Sequence, residues 1–166
     1  LAGRLHPDYQ QMKVVKVADH DKAGAKSYFL KKTDVFKAAP FRAGQYVSVF
    51  LEINGSVVTR PYSISSSPLL ADDATYAITV RRTDGGFVSE WILDNWKAGD
   101  VVTVSAPMGN FYHESLRDSS EVVAVAGGSG ITPFLSMAYA IRDGKEDFNM
   151  TILYGSRTYD SILLKN

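Results

Sequence analysis

Arg60, Pro61, Tyr62 and Ser63 place a cation, an aromatic ring and a hydroxyl within four residues, at the head of the segment Arg-Pro-Tyr-Ser-Ile-Ser-Ser-Ser-Pro. In an extended chain Arg60 and Tyr62 share one face, and Ser63 takes the other or reaches along the edge of whatever covers the ring. A guanidinium suits a phosphate, a phenol face suits a flat heterocycle, and a short hydroxyl can donate to a ring nitrogen. All three fit a dinucleotide with a flat, redox-active head. The same segment also reads as a Ser-rich, Pro-bounded surface turn.

Two glycine turns add anion-binding potential. Gly85-Gly86-Phe87-Val88-Ser89 precedes Val88, Trp91, Ile92, Asn95 and Trp96 at helical spacing, so free N–H groups and the Ser89 hydroxyl face outward at a helix N-terminus. The helix dipole there is worth roughly 0.3–1 kcal/mol per charge, although an ordinary capped helix has the same pattern. Gly127-Gly128-Ser129-Gly130-Ile131-Thr132-Pro133 lies between an apolar run and a second helical pattern, giving G-x-G-x-x-P in place of the common dinucleotide fingerprint. Ser156 and Arg157 fall just past the following strand, where ribose or phosphate contacts are expected. Arg81 and Arg82 end a strand, either as a solvated edge or within reach of a phosphate.

Other chemistries find little in the chain. His6, His20 and His113 lack paired metal-ligand spacing and read as exposed or structural. Ser65, Ser66 and Ser67 have no evident base, and Trp91 and Trp96 read as core.

The elements that must carry these residues follow from periodicity. Met12 to His20 and Lys26 to Thr33 read as a hairpin, and Val47, Val49, Leu51 and Ile53 alternate with Tyr46, Ser48, Phe50 and Glu52. Tyr46 lies in a site or covers a barrel end. Asn54-Gly55 returns the chain into Val57 to Ser65, and Tyr76, Ile78 and Val80 alternate with Ala77, Thr79 and Arg81. With Asp100 to Ala106 this makes about six strands and one short helix, an antiparallel barrel closed by the turn at Pro107-Met108-Gly109-Asn110-Phe111. Beyond Leu116 to Ser120, Glu121 to Ala126 is a continuous apolar run, the pattern of a parallel strand buried on both faces. Phe134, Met137, Ala138 and Ile141 mark a helix with Pro133 in its first turn and Gly144 at its end, before a strand at Met150 to Tyr154. One βαβ unit cannot form a doubly wound sheet alone, and Asp160 to Asn166 looks like the start of another helix. The expectation is a piece of a longer protein.

The 166 residues carry 18 basic and 18 acidic side chains, so electrostatic capture of nucleic acid or an anionic membrane is not expected. Without cysteine there is no disulfide, thiolate-ligated cluster or cysteine nucleophile in the chain. No apolar run approaches the roughly 20 residues of a membrane span, and Leu1-Ala2-Gly3-Arg4 opens no signal-peptide pattern. A cytoplasmic location is expected.

In order and spacing, Gly44-Gln45-Tyr46, Arg60-Pro61-Tyr62-Ser63, Gly86-Phe87-Val88-Ser89, Pro107 to Phe111 and Gly127 to Pro133 resemble the ferredoxin–NADP reductase superfamily. The wording is most similar to the NAD(P)H-oxidising modules of flavohaemoglobins and multicomponent oxygenases. The resemblance implies a six-stranded antiparallel Greek-key FAD-binding barrel over residues 1–115, then the start of a Rossmann-like NAD(P)-binding α/β domain over 120–166. It implies FAD as cofactor with NADH or NADPH as reductant, and an acceptor that is a separate protein or a fused haem or iron–sulfur domain. Arg60 would bind the flavin pyrophosphate, Tyr62 would stack on the isoalloxazine, and Ser63 would hydrogen-bond near N5. Tyr46 would contact the flavin, Gly86, Val88 and Ser89 would form a second pyrophosphate contact, and Pro61, Thr79, Val80, Arg81 and Phe87 would also bind cofactor. Gly128, Gly130, Thr132 and Pro133 would hold the nicotinamide nucleotide, and Ser156 and Arg157 the adenosine ribose. Two other readings use the same motifs: a flavin-binding regulatory or electron-bifurcating subunit, and a plain β-barrel binding module.

Overall fold

The computed structural model describes residues 8–33 and 38–163. Strand β1 (Tyr9–His20) pairs antiparallel with β2 (Ala25–Lys32) through a 3-10 turn at Asp21–Ala23 and Gly24, whose φ of 59° lies in the left-handed region. A bulge between Val14 and Lys16 bends β1, which lets one long strand serve both halves of a curled sheet. Strand β3 (Tyr46–Ile53) turns at Asn54-Gly55, both at positive φ, into β4 (Ser56–Ser63); β5 (Thr75–Arg81) and β6 (Val101–Ser105) complete the sheet.

The strand order is β4-β3-β6-β1-β2-β5, all antiparallel, so β4 and β5 are the free edges. They meet just past β4, where Ile64 bridges Ile78 and the Ser65 N–H donates to the Ala77 carbonyl at 2.7 Å. Pro61 is accommodated because β4 is an edge strand with a ladder to β3. Val47, Val49, Leu51 and Ile53 are all buried, as their alternation requires, and join Met12, Tyr28, Leu30, Tyr76 and Ile78 in one core. Helix α1 (Phe87–Asn95) closes one end of the sheet with Val88, Ile92 and Leu93, followed by Trp96, whose ring meets Tyr28 edge-on at 5.4 Å. Trp91 packs half-buried on the same core.

Strand β5 departs from its expected alternation, because every residue from Thr75 to Val80 is buried. Its outer side is covered by the serines that close the sheet: the Ser66 Oγ accepts the Ala77 N–H at 3.0 Å, and the Ser65 Oγ lies 3.0 Å from the Thr79 Oγ1.

The second unit consists of β7 (Glu121–Gly127), a 3-10 turn at Gly128–Ile131, α2 (Thr132–Arg142) and β8 (Asn149–Gly155), with β7 and β8 parallel in register. This is the expected βαβ arrangement. The expectation that β7 is buried on both faces fails, since Val123 and Val125 are 66% and 73% exposed. Helix α2 covers one face of the two strands, and the apolar side chains of the other face remain open. Near the end, Thr158 caps a 3-10 turn at Tyr159–Ser161, and residues 164–166 of the expected helix lie outside the described residues.

Two apolar clusters join the units. Ala23 and Ala25 of the β1–β2 hairpin pack with Ile131 and Leu163, while Ala43 packs with Met137, Ala140 and Phe148. His113 stacks on Phe148 at 4.0 Å, and His20 bonds the Ser27 hydroxyl at 2.9 Å, so both histidines have structural partners; His6 lies outside the described residues. No helix among the described residues is long and apolar enough to cross a membrane.

Candidate functional site

Where β4, β5, the start of α1 and the start of α2 converge, a groove of about 590 Å³ opens. Arg60, Pro61, Tyr62 and Ser63 form one wall, Thr79 and Arg81 the floor, Gly86, Phe87, Val88 and Ser89 one end, and Gly130, Thr132 and Pro133 the facing wall. Three segments far apart in sequence thus meet in one cleft. Arg60 is exposed, and its guanidinium donates to the Thr59 carbonyl at 2.8 Å. Tyr62 is half-buried, and desolvation raises its phenol pKa, partly offset by Arg60; the ring therefore presents a neutral face. The Ser63 hydroxyl and the Arg81 guanidinium bond no other described residue.

Gly86 is the N-cap of α1 and has no side chain to cap it, so the first-turn amides of the helix are left for another acceptor. A Cβ at Gly86 would lie 2.5 Å from the Ser89 Oγ and 2.7 Å from the Thr83 carbonyl oxygen. The close turn therefore requires glycine on steric grounds, although φ is an ordinary −78°. The groove's lining includes two guanidinium groups and no carboxylate.

A second groove, about 1060 Å³, adjoins the first and shares Arg81, Thr83 and Ser129 with it. It contains Gly128, Ser156 and Arg157, together with Lys22 and Arg82. Arg82 is held by Asp94, whereas Arg81 is not paired with a described carboxylate. Gly128 has φ 52°, and a Cβ there would sit 3.2 Å from the Arg81 Nη1, so glycine both permits the turn and leaves room for the guanidinium. The Tyr154 hydroxyl donates to the Gly128 carbonyl at 2.8 Å, tying β8 to the turn after β7.

Two expected residues lie elsewhere. Val80 is fully buried in the sheet's core, because position 80 alternates inward from Thr79 and Arg81; its side chain cannot line the groove. Tyr46 lies opposite Ser63 across the β3–β4 pair, with its ring beneath Gly109, and is outside both grooves' linings. Thr83 and Ser129 line both grooves and were missing from the candidate set. Their signal was positional: Thr83 follows β5 into the glycine turn, and Ser129 stands between the two glycines of the later motif. Ser65 and Ser66 are buried and bonded to backbone groups and Thr79, with no base among those partners.

Residues 20–113 match the family model described as the oxidoreductase FAD-binding domain. The chain belongs to that family. Residues 124–166 match the oxidoreductase NAD-binding domain, so the order of the two FAD- and NAD-binding parts agrees with the ferredoxin–NADP reductase resemblance. A glycine betaine monooxygenase reductase subunit of Pseudomonas aeruginosa is 37% identical over 123 residues, covering 74% of this chain and 33% of that protein. A flavohemoprotein of Candida norvegensis is 34% identical over 166 residues, covering 97% of this chain and 40% of its own length. Phthalate dioxygenase reductase, described as a modular structure for electron transfer from pyridine nucleotides to [2Fe-2S], superposes with a TM-score of 0.79 at 28% identity, covering 92% of this chain and 45% of that one. The chain thus spans about a third to two-fifths of the length of these curated relatives.

The domain matches point to FAD and NAD(P)H as cofactors of this FAD-binding family member. The residues fit such groups: two guanidinium groups without a lining carboxylate and an uncapped helix start in the first groove suit a pyrophosphate, and Tyr62 offers a neutral ring face. The glycine turn at Gly128, with Arg81 beside it, leaves the backbone accessible in the second.

Proposed function

We propose that this chain is the flavin-binding part of an NAD(P)H oxidoreductase that passes electrons onward to a haem or iron–sulfur acceptor, fused or separate. The observation that carries the reading is the convergence of Arg60, Tyr62 and Ser63 with the start of α1 and with Gly130 to Pro133 on one groove. When bound, FAD supplies the redox chemistry, accepting a hydride from the nicotinamide nucleotide and releasing electrons one at a time.

The chain's own residues supply binding and orientation. Arg60 and the first-turn amides of α1, with Gly86 and Ser89, hold the flavin pyrophosphate by charge-assisted hydrogen bonds. Tyr62 covers the isoalloxazine, Ser63 donates at its N5 edge, and Pro61, Thr79, Phe87 and Val88 shape the groove around it. Arg81, between the grooves, serves phosphate groups on either side. Gly128, Gly130, Thr132 and Pro133 hold the nicotinamide nucleotide, with Ser156 and Arg157 at its ribose, where an arginine can accept a 2′-phosphate. Residues 1–115 act as the flavin domain, residues 120–166 as the nucleotide-binding part, and the protein works in the cytoplasm.

FAD titration, followed by flavin fluorescence quenching, tests this reading. The parent chain is expected to take up FAD with one site. Arg60→Ala removes a charge-assisted bond worth about 1.5–3 kcal/mol, a rise in Kd of about 10- to 100-fold. A parent chain that leaves the fluorescence of added FAD unquenched refutes the function, and an Arg60→Ala chain with unchanged Kd refutes the phosphate role.

A further inference from the structure

Ser136 is fully buried on α2, and its hydroxyl donates to the Ser66 carbonyl at 2.7 Å across the boundary between the barrel and the βαβ unit. The carbonyl is itself held, because the Ser66 Oγ accepts the Ala77 N–H at 3.0 Å and the neighbouring Ser65 N–H donates to the Ala77 carbonyl. Ser66 is therefore tied to β5 at the point where the sheet closes. Along the chain, Ser66 is three residues past Ser63, and Ser136 is one helical turn past Thr132 on the same face. The two ends of this bond thus lead directly to the two facing walls of the first groove.

We propose that the Ser136–Ser66 bond is a latch that sets the separation and register of those walls, making Ser136 a positioning residue for the nicotinamide nucleotide against the flavin. The proposal rests on the reading of the groove given above. The apolar clusters that flank the latch, around Ile131 and around Met137, hold the units together without direction, so they tolerate sliding. A short buried hydrogen bond is directional and does not. A second polar tie lies beside it, the Asp143 carboxylate hydrogen-bonded to the Ser67 side chain, while ion pairing at the rim adds little: Lys145 meets Asp72 at 3.3 Å and Lys22 meets Asp160 at 3.9 Å, with all four side chains exposed.

Ser136→Ala deletes the donor while leaving a good helix former in place, so the chain is expected to fold. The absence of native cysteine permits spin labels at Val57→Cys and Leu153→Cys, exposed positions on β4 and β8, without removing other thiols. Pulsed electron–electron distance measurement on the full chain should show the Ser136→Ala distribution broadened or shifted by about 1–2 Å, the scale of shear between packed elements. With FAD bound, FAD affinity should stay at the parent value, while affinity for the nicotinamide nucleotide falls by up to about 10-fold, the scale of one lost hydrogen bond. Identical label distances in the two chains would overturn the latch, as would unchanged nucleotide affinity in the FAD-loaded variant. Failure of the parent chain to bind FAD would instead remove the proposed function, and the label distances would still decide whether the bond holds the walls.

Discussion

Replacing Gly86 by alanine tests the start of α1 as a phosphate site. The added Cβ would meet the Ser89 Oγ at 2.5 Å, the Thr83 carbonyl oxygen at 2.7 Å and the Thr83 Cβ at 3.1 Å, whereas Cβ atoms essentially never come within 3.0 Å of a neighbour. The Ser89 side chain can rotate away, since its contact to the Gly86 carbonyl is a long 3.5 Å. The Thr83 carbonyl cannot, because it accepts the Gly86 N–H at 2.7 Å and so belongs to the turn itself. The turn must open, which costs about 1–3 kcal/mol as overpacking. For a chain of this size that is a fall in Tm of roughly 2–12 °C. Opening the turn also re-aims the first-turn amides. Losing one charge-assisted bond to the flavin phosphate raises the FAD Kd by about 10- to 100-fold. Urea melts without FAD give the stability change, and fluorescence titration of the folded fraction gives the affinity. Adding Ser89→Ala relieves the side-chain clash but not the backbone one, so most of the stability loss should persist. A Gly86→Ala chain with the predicted stability loss and the parent affinity for FAD would refute the phosphate assignment.

Two further outcomes separate core from site. Val80→Ala removes buried volume from the barrel and should cost about 2–3 kcal/mol in urea unfolding while leaving the FAD Kd of the folded chain unchanged; a specific loss of FAD would place Val80 back among the ligand contacts. Burial lowers the His20 pKa below its ordinary 6.5, with Asp19 opposing, so the folded chain holds this proton less tightly than the unfolded one. The resulting stability is complete above 6.5 and is lost as pH falls through the lowered folded value. His20→Gln should flatten the decline in unfolding free energy as pH falls below about 6.5, and an unchanged slope would show that other groups cause it.

Much of this architecture could be read from residue pattern, and the departures share one cause. Alternation in β3 identified the buried face because the other face meets solvent or the rim of the sheet, so polarity reports position directly. In β5 the same alternation was present but both faces are buried, because Ser65 and Ser66 fold back over the outer one. Periodicity registers which residues can tolerate burial, and only tertiary contacts decide what covers them. The apolar run of β7 shows the converse, with Val123 and Val125 suited to burial and left exposed. For the site, Arg60 to Ser63, Gly86 to Ser89 and Gly128 to Pro133 were legible because each holds a distinctive local grouping. Thr83, Ser129 and Ser136 are ordinary hydroxyl residues locally, and they become notable through the segments that converge on them.

The open face of β7 and β8 also governs how the chain behaves in bulk. Val123, Val125 and Leu153 present an apolar stripe on a two-stranded parallel ribbon, on a molecule whose formal charge is zero at pH 7. Colloidal repulsion is then weakest at the pH where most assays are run, and among the described residues these three side chains add an apolar surface. Concentrated samples are best kept away from neutrality. A lysine at position 123 would add charge to the stripe while leaving the residues that line both grooves untouched.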